Sequence, residues 1–175
     1  MSKKPLHIEL LYLDGSTCRR CASVRDVLGA ALEALGPTFD ALGLEPQLRE
    51  THITSAAQAR AAGFELSPTI RLDGHDIAPA RHSSSCSDCD ALCGCSAVEG
   101  EPFACRSWHD AQGRPLDVPT TAVVVDALLR ALYADRNASA AATQPVAEAA
   151  RVARFFAARD EREERESCCA PSCCS

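Results

Sequence analysis

This sequence predicts one α/β domain, and three observations carry the prediction. Leu6 to Leu13 is a short, nearly continuous apolar run, a helical apolar repeat follows it, and Asp73-Gly74 joins two short extended segments. Apolar runs of that length read as strands, and repeats at three- and four-residue spacing read as helices. The chain has 175 residues, enough for one hydrophobic core.

The first run, Leu-His-Ile-Glu-Leu-Leu-Tyr-Leu, is expected to be a strand buried on both faces and closed by Asp14-Gly15. Val24, Val27, Leu28, Ala31, Leu32 and Leu35 then share a helix face, and Gly36-Pro37 is expected to end that helix. A second strand is placed over Glu45–Ile53 and a short helix over Ser55–Ala62, closed by Gly63. Ser67–Leu72 and His75–Ile77 flank the Asp-Gly pair as a hairpin.

From Arg81 to Asp117 apolar residues thin out and Ser, Asp, Gly and Cys dominate. A long loop is expected there, held by something other than a core. Pro119-Thr120-Thr121 opens a helix that carries Val124, Val125, Leu128, Leu129 and Leu132 to about Ala134. The predicted organisation is a domain over 1–135 with a Cys-rich insertion at 82–117, and a linker over 136–144. A helix over 145–166 and a mobile Cys-Cys tail over 167–175 complete it. That last helix has a weak apolar stripe (Val146, Ala149, Ala153, Phe156) and then a mixed-charge run, Arg159–Glu166.

The 18 basic and 24 acidic residues leave a formal charge of −6, which argues against a nucleic-acid partner. No apolar run approaches the roughly 18 residues of a membrane span. The N-terminus has the charges of a signal peptide, but Glu9 and Asp14 interrupt its apolar stretch, so a cytoplasmic protein is expected. Neither a phosphate-binding glycine loop nor a Ser-His-Asp or paired-carboxylate arrangement is present, so no nucleotide cofactor is expected.

Eleven cysteines are the informative feature. In a reducing compartment thiols are kept for metal binding or redox chemistry, and an odd number cannot pair completely. They fall in three groups: Cys18 and Cys21; Cys86, Cys89, Cys93, Cys95 and Cys105; and Cys168, Cys169, Cys173 and Cys174.

Cys18-Arg19-Arg20-Cys21 lies between the first strand and its helix. Unpaired N–H groups at a helix start stabilise a thiolate at Cys18, and Arg19 and Arg20 are expected to lower its pKa further. Cys21, one turn on, is placed as resolving thiol or second ligand, and the reading requires Cys18 to be ionised and reachable. The alternative is that the pair is half of a structural zinc site. The strand–C-x-x-C–helix opening, the β-α-β-α-β-β-α order and Ser67-Pro68-Thr69-Ile70 together resemble the thioredoxin-like superfamily. The resemblance covers residues 6–78 and the helix at 120–134. It implies a thioredoxin-like fold, with Pro68 as the cis-proline that lies against the C-x-x-C and shapes a docking groove. Tyr12-Leu-Asp-Gly-Ser-Thr-Cys, Cys-Asp-Ala-Leu-Cys-Gly-Cys and Cys105-Arg-Ser-Trp108 are similar to a small branch of that superfamily linked to metal or organometal handling. The Arg-Arg dipeptide departs from the Gly-Pro of thioredoxin itself.

In the second group, four thiolates could close around Zn(II) or another thiophilic ion, and a fifth would be a labile ligand. Redox disulfides are the alternative, and the spacings match neither ferredoxin pattern. His82 and His109 are read as solvated loop residues. The resemblance to thioredoxin-like proteins implies that the insertion lies beside Cys18, which would favour transfer between clusters.

The paired cysteines of the tail suit soft ions and give a high local thiol concentration. They resemble the paired-cysteine tails of mercuric reductases. The combined expectation is a thioredoxin-like protein that binds and relays Hg, As, Zn or Cu ions, or organometals, in heavy-metal resistance. Its implied partner is a protein thiol or disulfide. The alternative is a thiol–disulfide oxidoreductase with a structural zinc loop.

Overall fold

A computed structural model describes residues 3–78, 80, 82–96, 102–134 and 146–168. The architecture is mixed α/β. A four-stranded sheet has the order β2-β1-β3-β4, with β1 (Lys4–Tyr12) parallel to β2 (Leu44–His52) and antiparallel to β3 (Thr69–Leu72). The hairpin to β4 (His75–Asp76) turns on Asp73 and Gly74, both at positive φ (47° and 83°), as the Asp-Gly pair predicts.

β1 alternates over most of its length instead of being buried on both faces: Leu6, Ile8 and Leu10 are buried, whereas His7 is exposed and Glu9 half-buried. The buried set packs with Val24, Leu28, Ala31 and Leu35 of α1 (Arg19–Ala41) and with Val124 and Leu128 of α4 (Thr121–Tyr133). Thr120 caps α4, its side chain accepting the Val123 N–H. α1 does not stop at Gly36-Pro37 but runs on to Ala41 with Pro37 inside it. An interior proline costs about 3 kcal/mol. Phe39, only 2% exposed in the core beyond it, returns about 1.5–3 kcal/mol and holds the last turn in register.

α2 (Ala56–Ala61) is capped by the Ser55 side chain, which accepts the Gln58 N–H, and Gly63 follows at φ 55°. The expected loop over 81–117 is instead a small structured unit. It holds β5 (Ser83–Ser85), α3 (Ser87–Cys93), β6 (Ala104–Arg106), β7 (Trp108–His109) and β8 (Pro115–Leu116). β5 pairs with β6 and β7 with β8, both antiparallel. Its buried apolar residues are cysteines plus Phe103 and Trp108, and a buried thiol behaves as a small hydrophobe.

α5 (Val146–Cys168) completes that second core. Its buried stripe is Val152, Phe155, Phe156 and Ala158; of the predicted stripe Phe156 is buried and Ala153 half-buried, and the side chains of Val146 and Ala149 lie outside the described residues. Phe155 packs on Phe103 (ring centroids 5.0 Å apart) and edge-on to Phe156 (5.3 Å). The partners missing from the sequence pattern were the cysteines beneath the helix. Arg162 donates to the Ala91 and Leu92 carbonyls at the end of α3, and Arg159 donates to the Thr54 carbonyl. Among the described residues no helix is long and apolar enough to cross a membrane.

Candidate thiol site

β1 ends where Asp14 turns the chain into α1. The Asp14 carboxylate accepts the N–H groups of Ser16, Thr17 and Cys18 at 2.9, 2.5 and 3.1 Å, fixing Cys18 as the N-cap of α1. Burial pushes the Asp14 pKa up, but the bonds from Thr17, Cys18 and Ser16 outweigh it, and the carboxyl titrates below its usual range. A depressed folded value means the stabilisation is complete above the unfolded pKa near about 3.9 and is lost as pH falls through the folded value. Asp14→Asn is therefore expected to flatten the acid side of the stability–pH curve below about pH 4, read by urea midpoints at successive pH values.

Arg19 and Arg20 do not act on Cys18 as the sequence suggested. Arg19 is exposed and pairs with Asp88. Arg20 is buried and turned away, donating to the Ser84, Ser85 and Arg106 carbonyls and pairing with Asp117 at 2.9 Å. It bolts the Cys-rich unit onto the start of α1.

That docking brings the first two cysteine groups together. The sulfurs of Cys18, Cys86 and Cys89 all lie within 4.8 Å of one another, with Cys18 and Cys86 at 3.8 Å. Cys105 donates to Cys89 at 3.4 Å, and Cys21 lies 3.4 Å from the Ser67 hydroxyl. The peptide bond between Ser67 and Pro68 is cis, and the Ser67 hydroxyl also accepts the Leu13 N–H. The five thiols are free and buried, at 0% exposure for Cys18, Cys89 and Cys105. The sulfur of Cys18 is thus enclosed, not reachable from solvent in this conformation, in a core shared with the Cys-rich unit and with Val152, Phe155 and Phe156 of α5.

The pKa pattern follows from sulfur–sulfur hydrogen bonding. Cys18 is pushed far down by Cys105, Cys21, Cys86 and Cys89, against the effect of burial. Cys86 is lowered to about 7, chiefly by Cys105. Cys21 is raised by its bond to Cys18 and by burial, and Cys89 and Cys105 are raised by neighbouring sulfurs and burial. Among these sulfurs the shifts favour ionisation at Cys18 and disfavour it at Cys21, Cys89 and Cys105.

Cys93 and Cys95 were grouped with these ligands in the sequence. Here they are joined to each other by a disulfide, with Gly94 between them at φ 67° and their Cα atoms 5.2 Å apart. Cys168 ends α5, and Cys169, Cys173 and Cys174 lie outside the described residues. His82 is exposed and His109 half-buried, their rings 4.0 Å apart and neither within the sulfur trio. Sequence reasoning missed Ser67, Arg106, Phe103 and Phe155. Only the Ser-Pro pair and the phenylalanines near the cysteines hinted at them.

Residues 6–128 match the family described as a domain of unknown function, DUF2703, well over half of the chain. The chain belongs to that family. That family, and no thioredoxin-like one, is what the comparison indicates. No curated protein matches the chain, and no solved structure does. The DUF2703 stretch contains the five free thiols found among the described residues, whereas α5, which shares their core, lies beyond it.

Proposed function

We propose that this DUF2703 protein captures thiophilic metal or metalloid ions, or their organic derivatives, in a buried thiol cluster on a thioredoxin-like scaffold. The observation that carries this reading is the trio Cys18, Cys86 and Cys89, three buried sulfurs mutually within 4.8 Å. Thiolate ligands select soft ions such as Cu(I), Zn(II), Hg(II) and As(III). The β2-β1-β3-β4 order and the cis Ser67–Pro68 bond beside Cys21 support the scaffold assignment. In this reading Cys21 and Cys105 are reserve thiols, and Cys168, Cys169, Cys173 and Cys174 hand the ion to the cluster or to a protein thiol partner.

A thiol–disulfide oxidoreductase is the second reading, favoured by the C-x-x-C at a helix start beside a cis-proline. Two facts weigh against it. Cys18 and Cys21 are buried, and the Ser67 carbonyl next to Pro68 already accepts the Arg106 N–H at 2.7 Å, so that stretch of backbone is occupied by the chain itself.

The test is an anaerobic titration of the full chain with Hg(II) or Zn(II), counting free thiols. One tightly bound ion is expected in the cluster. Its affinity falls by at least about 100-fold in Cys18→Ser, Cys86→Ser or Cys89→Ser, more than outer-sphere partners usually cost. Serine at the four tail positions slows loading and leaves that affinity unchanged. Insulin reduction that Cys18→Ser abolishes, without soft-ion binding, would give the oxidoreductase reading instead.

A further inference from the structure

We infer that the buried trio of Cys18, Cys86 and Cys89 takes a trivalent group-15 metalloid, with arsenite as the accessible probe, as a neutral three-sulfur complex. The inference rests on the soft-ion reading above and narrows its ligand class.

Coordination number is the first argument. A thiophilic ion about 2.3 Å from each sulfur sets neighbouring sulfurs roughly 3.3–4.0 Å apart, the shorter end belonging to a pyramidal centre. Cys18 and Cys86 already stand at 3.8 Å, and Cys89 completes a group within 4.8 Å. Cys105 abuts Cys89 at 3.4 Å and also neighbours Cys18 and Cys86, but it does not stand within 4.8 Å of all three at once, and Cys21 turns to the Ser67 hydroxyl. The group contains no carboxylate or imidazole. Cys18 and Cys89 are fully buried and Cys86 is 5% exposed, in a core shared with Phe103, Val152, Phe155 and Phe156. A water molecule as fourth ligand would have to be drawn into that apolar core. A trivalent metalloid, with a lone pair in place of the fourth ligand, needs three sulfurs only.

Charge is the second argument. A divalent ion on three thiolates carries one net negative charge, and on four it carries two. Burying an uncompensated charge is costly. The two buried guanidiniums of this region are committed elsewhere, Arg20 to backbone carbonyls and Asp117, Arg106 to Asp76 and the Ala78 carbonyl. A trivalent centre on three thiolates is neutral. Loading needs no oxidant or reductant: arsenous acid and three thiols give the tris-thiolate and three waters. Three As–O bonds break, three As–S bonds form, and each thiol proton leaves with a hydroxide as water.

The test uses the full-length chain with Cys168, Cys169, Cys173 and Cys174 replaced by serine, so that the tail does not compete. Arsenite is added without reductant, the chain is unfolded rapidly in alkylating agent, and the modified cysteines are mapped by mass. One arsenic per chain is expected, with Cys18, Cys86 and Cys89 protected and Cys21 and Cys105 alkylated. Cys105→Ser and Cys21→Ser keep arsenite affinity within about threefold, and Cys86→Ser lowers it at least about 100-fold. The mapping requires no substitution in the cluster, so a misfolded variant does not blur the outcome. Protection of only two thiols would overturn the inference. So would Zn(II) or Hg(II) binding that needs Cys105 while arsenite fails to bind; in that case the soft-ion reading stands. If no soft ion binds, both fall.

Discussion

Phe155→Ala is expected to lower the unfolding free energy by about 3–5 kcal/mol, as a phenylalanine-sized hole in a core does. It is also expected to raise the alkylation rate of the native thiols by at least about tenfold. Phe155 is 2% exposed, wedged between Phe103 and Phe156 in the core that contains Cys18, Cys86, Cys89 and Cys105. Because these sulfurs are enclosed, reagents and ions reach them only through opening. About 1.4 kcal/mol less opening cost is a tenfold faster reaction when reclosing outpaces modification. Urea denaturation measures the first effect, and alkylation well below the unfolding transition, counted by mass, measures the second. Phe155→Leu, which keeps most of the volume, is expected to restore most of both. Unchanged alkylation in Phe155→Ala would show that the thiols are reached by a route that does not involve α5.

The same helix shows where sequence patterning stopped being informative. Its period and the burial of Phe156 were legible, but Val152, Phe155 and Ala158 were not, because they share a core with cysteines and Phe103. These partners look polar or isolated when composition alone is scanned. β1, α2, α4 and the Asp-Gly hairpin were legible because local chemistry fixes each of them: a short apolar run closed by a turn in β1, capping by Ser55 and Thr120, and positive φ at Gly74. Pro37 misled because its local preference is overridden by a distant contact, the burial of Phe39.

The candidate site divides along the same line. Cys18 at a helix start was readable from the C-x-x-C and its flanking strand. That the Cys-rich insertion lies beside Cys18 was expected from the resemblance; the choice of Cys86 and Cys89 as its nearest sulfurs was not, since it depends on Arg20 reaching over sixty residues along the chain to Ser84 and Ser85. Charge counting assigned Arg20 to the thiolate; burial gives it to carbonyl oxygens. The pairing of Cys93 with Cys95 likewise follows from the turn at Gly94 and not from spacing alone.

Arg106→Met is expected to cost about 2–4 kcal/mol and to loosen the sulfur trio without touching a sulfur. The Arg106 side chain is 3% exposed and reaches Asp76 at 2.5 Å, the Ala78 carbonyl at 2.7 Å and the Thr69 hydroxyl at 3.2 Å. Breaking a fully buried pair leaves an uncompensated charge and costs about 3–5 kcal/mol. Asp76 is 30% exposed, so solvent recovers part of that here. The neighbouring residue is Cys105, which touches Cys89, and the Arg106 backbone holds Ser67 beside Cys21. Loss of the guanidinium therefore frees β6 at the point where it meets both cysteine groups. A double-mutant cycle with Asp76→Asn separates the causes. Coupling of about 1–3 kcal/mol assigns the loss to the ion pair. Additive costs would assign it to the carbonyl and hydroxyl contacts, in which case Asp76→Asn alone would leave thiol alkylation at the wild-type rate.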